Sequence, residues 1–218
     1  CPVMLHAQFS RHFYDKTLRI DYIHSGNDTI DYYALDELIE EGAWAGSQVN
    51  LIDELDYGNY KVVVRDGKEG EVLYSKGYSS LFWEWQTTAE AALTTRAFPE
   101  NVLIPFPRRP ADVEFYNRLR DGHWQMKFSY RVDPENYFIK KENRLQFPVL
   151  NLHHSGAPAV CVDIVIIPEG YTADEMDKFR ADSRRFADYL LNNEVYKPYS
   201  ANINVSAVLA PSAESGAD

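Results

Sequence analysis

Six histidines, two cysteines and serines such as Ser155 and Ser215 are where chemistry would first be sought in this chain. The histidines are His6, His12, His24, His123, His153 and His154, and none is followed by Glu, so no H-E-x-x-H zinc helix exists here. The adjacent His153 and His154 do not share a face if the backbone there is extended, because neighbours on a strand point to opposite sides. A solvated pair is their commoner use. Ser155 and Ser215 lack the G-x-S-x-G elbow and any identifiable base or orienting acid. The turn Pro168-Glu169-Gly170-Tyr171 has one glycine and no P-loop lysine. Glu37, Glu40 and Glu41 form an acidic run without His or Cys at ligand spacing, which reads as a solvated face. The expectation is therefore no catalytic and no metal-binding residue within this segment.

One patch remains. In SSLFWEWQTT, Trp83, Glu84 and Trp85 place two large rings around a carboxylate, the equipment of a carbohydrate-binding surface or of a domain interface. Read as a strand, the alternation puts both indoles on one face. Packing of one ring in the sandwich core, with the other bracing a domain interface, is the commoner use of such residues. Trp44 and Trp124 are candidates for the same neighbourhood.

The elements that would position these residues divide at about residue 142. Over residues 8–141 the text is strands and turns. TLRIDYIHSG alternates Leu18, Ile20 and Tyr22 with polar neighbours and stops at Gly26. GNYKVVVRDGKEGEVLYSKG is a hairpin with Tyr60, Val62 and Val64 on one face and a turn opening at Asp66-Gly67. Further strands fit Val102–Phe106, Ala111–Tyr116 and Trp124–Tyr130. ALDELIEEGAW predicts one short helical turn over Leu35–Glu41. The sum is an antiparallel β-sandwich.

Residues 142–160, carrying Pro148, Gly156 and Pro158, read as a linker. From 161 to 218 the character changes. The apolar run Ile164–Ile167 predicts a strand covered on both faces, with Cys161 a small buried residue beside it. Gly170 turns the chain, and Thr172 with Glu175 forms a capping box. Met176, Phe179, Phe186 and Leu190 then mark a helix ending near Asn193. A second strand, Ile203–Leu209, completes a βαβ start with parallel strands. Three elements cannot cover both faces of such strands, so the remainder of the domain is expected beyond Asp218.

Composition excludes some functions. The 218 residues are 45% hydrophobic and 14% aromatic, with a net charge of −11, which argues against nucleic acid as a partner. No apolar run of about 18 residues could span a membrane as a helix. Cys1 and Cys161 show no C-x-x-C spacing, and a disulfide between them stays open. The chain begins with Cys1 rather than Met. Residues 1–7, CPVMLHA, read as the end of a secretory signal peptide cleaved after Ala7, with a lipid-modified Cys1 or an ordinary terminus as alternatives. Export, whether secreted, periplasmic or surface-attached, is the expectation.

Several phrases in order resemble the IgA peptidase family of zinc metallopeptidases, metallopeptidase family sixty-four. They are LRIDYIHSG at 18–26, GAWAGSQVNLID at 42–53, GNYKVVVRD at 58–66, LYSKGYSSLFWEWQTT at 73–88, IPFP at 104–107, VDIVIIPEGYTADEMDKF at 162–179 and APSAESGAD at 210–218. Glu169-Gly170 stands where the family usually carries Asp-Gly. The resemblance implies a β-rich accessory domain followed by the start of a zincin-like α/β catalytic domain. It implies an exported endopeptidase acting on protein or peptide substrates. Zinc would be bound in the full-length parent by an H-E-x-x-H helix that this segment lacks, so the segment alone would be inactive. The alternative is a non-catalytic surface module binding carbohydrate or protein.

Overall fold

The computed structural model describes residues 8–67, 70–141 and 146–216. His6, Cys1 and the rest of the signal-peptide reading at residues 1–7 lie outside the described residues. The fold is mixed and mostly β. It divides into two compact units, Cys1–Glu142 and Asn143–Asp218.

The first unit contains two four-stranded sheets. One holds β1 (Phe13–Gly26), β2 (Asp31–Glu40), β5 (Arg96–Pro107) and β8 (Lys140–Lys141), in the order β5-β1-β2-β8. The other holds β3 (Tyr60–Arg65), β4 (Val72–Tyr78), β6 (Ala111–Arg118) and β7 (Trp124–Val132), in the order β4-β3-β6-β7. Pairing is antiparallel except for the short contact of β8 with β2. Inward residues of both sheets meet in one cluster: Leu18, Ile20, Tyr22, Val102 and Ile104 from the first, Val62, Val64, Val113 and Phe115 from the second. Two sheets sharing one core is the arrangement of a sandwich.

Two segments differ from the sequence reading. Leu35–Glu41 is not a helical turn, because residues 31–40 are strand β2. The reason is a bulge: pairing steps from Asp21↔Glu37 to Tyr22↔Leu35 and leaves Asp36 unpaired. The extra residue lets Leu35 and Leu38 both turn toward the core, so a strand acquires the i, i+3 spacing of a helix. The second difference is SSLFWEWQTT, whose residues Leu81–Gln86 form helix α1 rather than a strand.

Among the described residues the second unit is a three-stranded sheet, order β10-β11-β9, with one α-helix and three short 3-10 turns. β10 (Val162–Ile166) and β11 (Ile203–Val208) are parallel, as strand–helix–strand connectivity requires. β9 (Val149–His153) runs antiparallel to β11. It falls inside residues 142–160, which therefore contain an ordered strand as well as a connection. Gly170 takes a left-handed φ of 70° at the turn after β10. Glu175 then accepts hydrogen bonds from the Thr172 backbone N–H (3.0 Å) and hydroxyl (2.9 Å). α2 (Met176–Asn192) packs through Met176, Phe179, Ala187 and Leu190. Phe186 does not belong to that stripe and is exposed. The buried line instead passes through the small residues Ser183 and Ala187.

One face of the sheet lies against α2. On the other, Val165 is 53% and Ile167 73% exposed, so the expected covering of both faces of β10 is not found here. Cys161 is half-buried and free rather than buried.

Candidate functional site

For the aromatic patch the sequence offered a flat pair of indoles or, ahead of it, one ring packed in the core with the other at an interface. In α1 the residues follow a helical period instead, so Phe82 and Trp85, three apart, turn inward together while Leu81, Trp83 and Glu84 turn out. Trp85 is 7% exposed and Trp83 40%. Trp85 packs on Phe82 and Phe98, and its indole N–H donates to Glu90 (3.1 Å). Trp44 lies in the core and meets Tyr74 edge-on, its N–H donating to the Ser47 carbonyl. Trp124 is covered by Lys61 and Arg118 at 4.2 and 4.5 Å from its centroid and donates to Asp56. The four indoles thus sit in four different settings, and Trp83 and Trp85 do not form a shared platform.

The inward side of α1 leads to a group that composition alone did not reveal. His24 occupies an inward position of β1, in register with Leu18, Ile20 and Tyr22, and is fully buried. Its ring is stacked between Phe82 (3.8 Å between centroids) and Tyr33 (4.1 Å). Nδ1 lies 3.2 Å from Glu100 Oε2 on β5, and Nε2 lies 3.1 Å from Asp31 Oδ2 at the start of β2. A neutral imidazole can donate from only one nitrogen, whereas two carboxylates require two donors. The geometry therefore holds an imidazolium.

Burial alone would push the His24 pKa down, but hydrogen bonds to Asp31 and Glu100 overcome it and the pKa is raised. Burial would likewise raise the Asp31 carboxyl, yet His24, Lys127 and Asn117 hold it at about 2. Glu100 is lowered too, its burial outweighed by His24 and its hydroxyl neighbours. Lys127 Nζ reaches Asp31 Oδ1 at 2.8 Å, so two cations balance two carboxylates. Tyr33 donates to Asn117 (2.7 Å), which in turn donates to Asp31. Tyr22 donates to Glu100 Oε2 (2.9 Å) and touches the Tyr78 hydroxyl at 3.0 Å. Burial drives the Tyr22 and Tyr78 pKa values upward, so both phenols stay protonated.

A cleft of about 250 Å³ opens beside this clamp, lined by Tyr22, Tyr78, Ser80, Leu81, Phe98 and Glu100 among others. The clamp supplies no activated nucleophile, and its imidazolium and carboxylates are engaged with one another. Chemically the site is a small recess with a carboxylate at its base.

The other sequence candidates lie elsewhere. Glu37, Glu40 and Glu41 pair with Lys140, Lys16 and Arg19 respectively. His154 is exposed. His153 Nε2 lies near Ser155 Oγ (2.9 Å) and the Ser200 carbonyl (3.1 Å), a local contact that ties β9 to the turn before β11. Among the described residues no three His, Cys, Asp or Glu side chains could hold a metal ion together.

Comparison with known families is direct. Residues 8–129 match the family described as Peptidase M64 N-terminus, and residues 150–218 match IgA Peptidase M64. The chain belongs to the M64 peptidase family. Its two matched regions fall one in each compact unit. No curated protein matches the chain. Within the family frame, the His24 clamp and its cleft sit in the N-terminal region, and the strand–helix–strand unit lies in the peptidase region.

Proposed function

We propose that the chain is the N-terminal part of an exported, zinc-dependent endopeptidase that hydrolyses peptide bonds of protein substrates. The observation that carries this reading is the consecutive family match, a β-rich region followed by the opening of the peptidase region. The parallel β10–β11 pair with its crossover helix agrees with the start of a zincin-like α/β domain. The exposed second face of that sheet, with Val149, Val165 and Ile167, leaves apolar surface for further elements to cover.

The zinc implied by the family does not fit the residues described here, since they offer no shared ligand set. Its ligands would come from residues outside them, and no step of catalysis is assigned to this segment. Residues 8–141 would act as an accessory domain that helps to position protein substrates. No helix among the described residues is long and apolar enough to cross a membrane. The export reading rests on CPVMLHA.

The test is to express the complete gene product and this segment side by side and follow casein hydrolysis, with and without 1,10-phenanthroline and added zinc. The expected result is chelator-sensitive hydrolysis by the complete product and none by the segment. Hydrolysis by the segment itself, or none by a folded, zinc-supplied complete product, overturns the reading.

A further inference from the structure

The cleft beside α1 has a chemical polarity that follows from where its protons go. Tyr22 has one hydroxyl proton, and it is committed to Glu100 Oε2. The 3.0 Å contact between Tyr22 and Tyr78 must then use the Tyr78 proton. Tyr78 is left facing the cleft as an oxygen acceptor.

Glu100 is in the same condition. Its Oε2 serves His24 and Tyr22. Oε1 receives a long hydrogen bond of 3.4 Å from the Phe82 backbone N–H, so acceptor capacity remains on the side of Ser80 and Leu81. The Ser80 hydroxyl, shut off from solvent and without a well-directed partner, turns its proton toward Glu100 and helps to hold that carboxyl down, which leaves its oxygen as an acceptor. Asn101, exposed at the cleft, offers either end of its amide. The walls are apolar: Leu81, Phe98 and Pro99, with Leu81 66% exposed. A recess with surplus acceptors at its base and alkyl-compatible walls calls for a donor-rich group on an aliphatic stem. The volume of about 250 Å³ admits one long side chain.

We propose that this cleft binds a lysine or arginine side chain of a polypeptide partner, its stem between Leu81 and Phe98 and its cationic end on Glu100 Oε1 and the Tyr78 oxygen. The net charge of −11 adds a general attraction for basic segments. The site lies wholly within the first unit and does not depend on the peptidase reading. Its readout is binding alone.

The experiment is an NMR titration of the ¹⁵N-labelled full chain at fixed ionic strength with n-butylammonium, n-butanol and the peptide acetyl-Gly-Lys-Gly-amide. The expected result is saturable shifts at the Leu81, Phe98 and Asn101 amides with n-butylammonium and with the peptide. The alcohol should bind about tenfold more weakly, the loss of one hydrogen bond to a charged acceptor. Tyr78→Phe and Leu81→Ala, which leave both carboxylate contacts of His24 in place, should each weaken the amine several-fold. Absence of saturation, equal binding of amine and alcohol, or undiminished binding in both variants overturns the proposal. Binding of the free amine but not of the peptide overturns the assignment to a polypeptide partner.

Discussion

Each unit of this protein buries a polar side chain that ties strands together, and the two do so by different physics. In the first, His24 joins β1 to β2 and β5 through two carboxylates. In the second, Asn204 on β11 accepts from the backbone N–H groups of Ser155 (2.8 Å) and Gly156 (3.3 Å). It also donates to the Gly156 carbonyl (2.9 Å) and to Asp163 (2.8 Å) on β10. Both side chains have all their hydrogen-bonding capacity engaged, and both are less than a tenth exposed. One knot needs a charge and the other does not. The comparison teaches that full satisfaction of a buried polar group leaves open whether it depends on pH.

The strongest way to break the comparison is to remove the cation. His24→Ala leaves Asp31 and Glu100 buried at 6% and 8% side-chain exposure without their shared donor. The expected loss is about 3–5 kcal/mol, the usual cost of stranding one side of a buried ion pair. Hydrogen–deuterium exchange read peptide by peptide on the full chain should show it in β1, β2 and β5. Adding Asp31→Asn and Glu100→Gln should recover part of that loss, because the stranded charges are then gone. A single variant as well protected as the parent would mean that His24 is no clamp.

Removing the neutral knot should cost less. Asn204→Ala frees two backbone donors and one backbone acceptor, and an unsatisfied buried polar group costs about 1–3 kcal/mol. Protection should fall at Ser155 and Gly156 and along β10 and β11. Asn204→Asp should be worse than Asn204→Ala, since a carboxylate there would face Asp163 and the Gly156 carbonyl with no proton to offer. If Asp is tolerated better than Ala, the donor role assigned to Nδ2 is wrong.

How much of these knots was legible beforehand differs in an instructive way. β1, the β3–β4 hairpin and the β10–α2–β11 order could be read because their burial is set by local period. β2 could not, because the bulge at Asp36 gives Leu35 and Leu38 a helical spacing within a strand. In LFWEW two periods coexist: Trp83 and Trp85 alternate as in a strand, while Phe82 and Trp85 recur as on a helix. The helix prevails because Phe82 covers His24 and Trp85 meets Phe98. The clamp itself left one trace, a histidine in the inward register after Leu18, Ile20 and Tyr22. Its partners, Asp31 and Glu100, lie seven and 76 residues away, and no local pattern links them. β9 was hidden by Pro148 and Gly156 on its flanks, and its pairing with β11 is a long-range fact.

A pH titration sharpens the contrast without any mutation. The His24 pKa is raised in the folded state, so its contribution is complete below the ordinary value of 6.5 and is lost as pH rises through the folded value. Asp31 has the opposite sign: its contribution is complete above the ordinary 3.8 and is lost as pH falls toward about 2. Local stability at β1, β2 and β5 should therefore decline on both sides of a plateau at mildly acid pH. Protection around the Asn204 amide, which does not titrate, should follow the general stability of its unit. Exchange rates corrected for intrinsic pH dependence decide this, and a flat profile at β1 would contradict a charged His24.

The smallest expected effects test whether burial, rather than residue type, decides which aromatics matter. Trp83 on α1 and Phe186 on α2 are both large and both substantially exposed, at 40% and 49%. Their helical neighbours Trp85 and Phe179 are 7% and 3% exposed. Truncating either outward ring to Ala should change stability by no more than about 0.5 kcal/mol, whereas Trp85→Ala or Phe179→Ala should cost about 3–5 kcal/mol. The two outward positions then part company in function. Trp83 is carried on the same short helix as Leu81, so Trp83→Ala should leave n-butylammonium binding intact while Leu81→Ala weakens it. Phe186 is placed by a helix whose buried stripe bypasses it, so its loss should not disturb the packing of Phe179 and Ala187. A stability loss at Phe186 matching that at Phe179 would show that this ring is covered in solution, and the bare side of the second unit would then have to be redrawn.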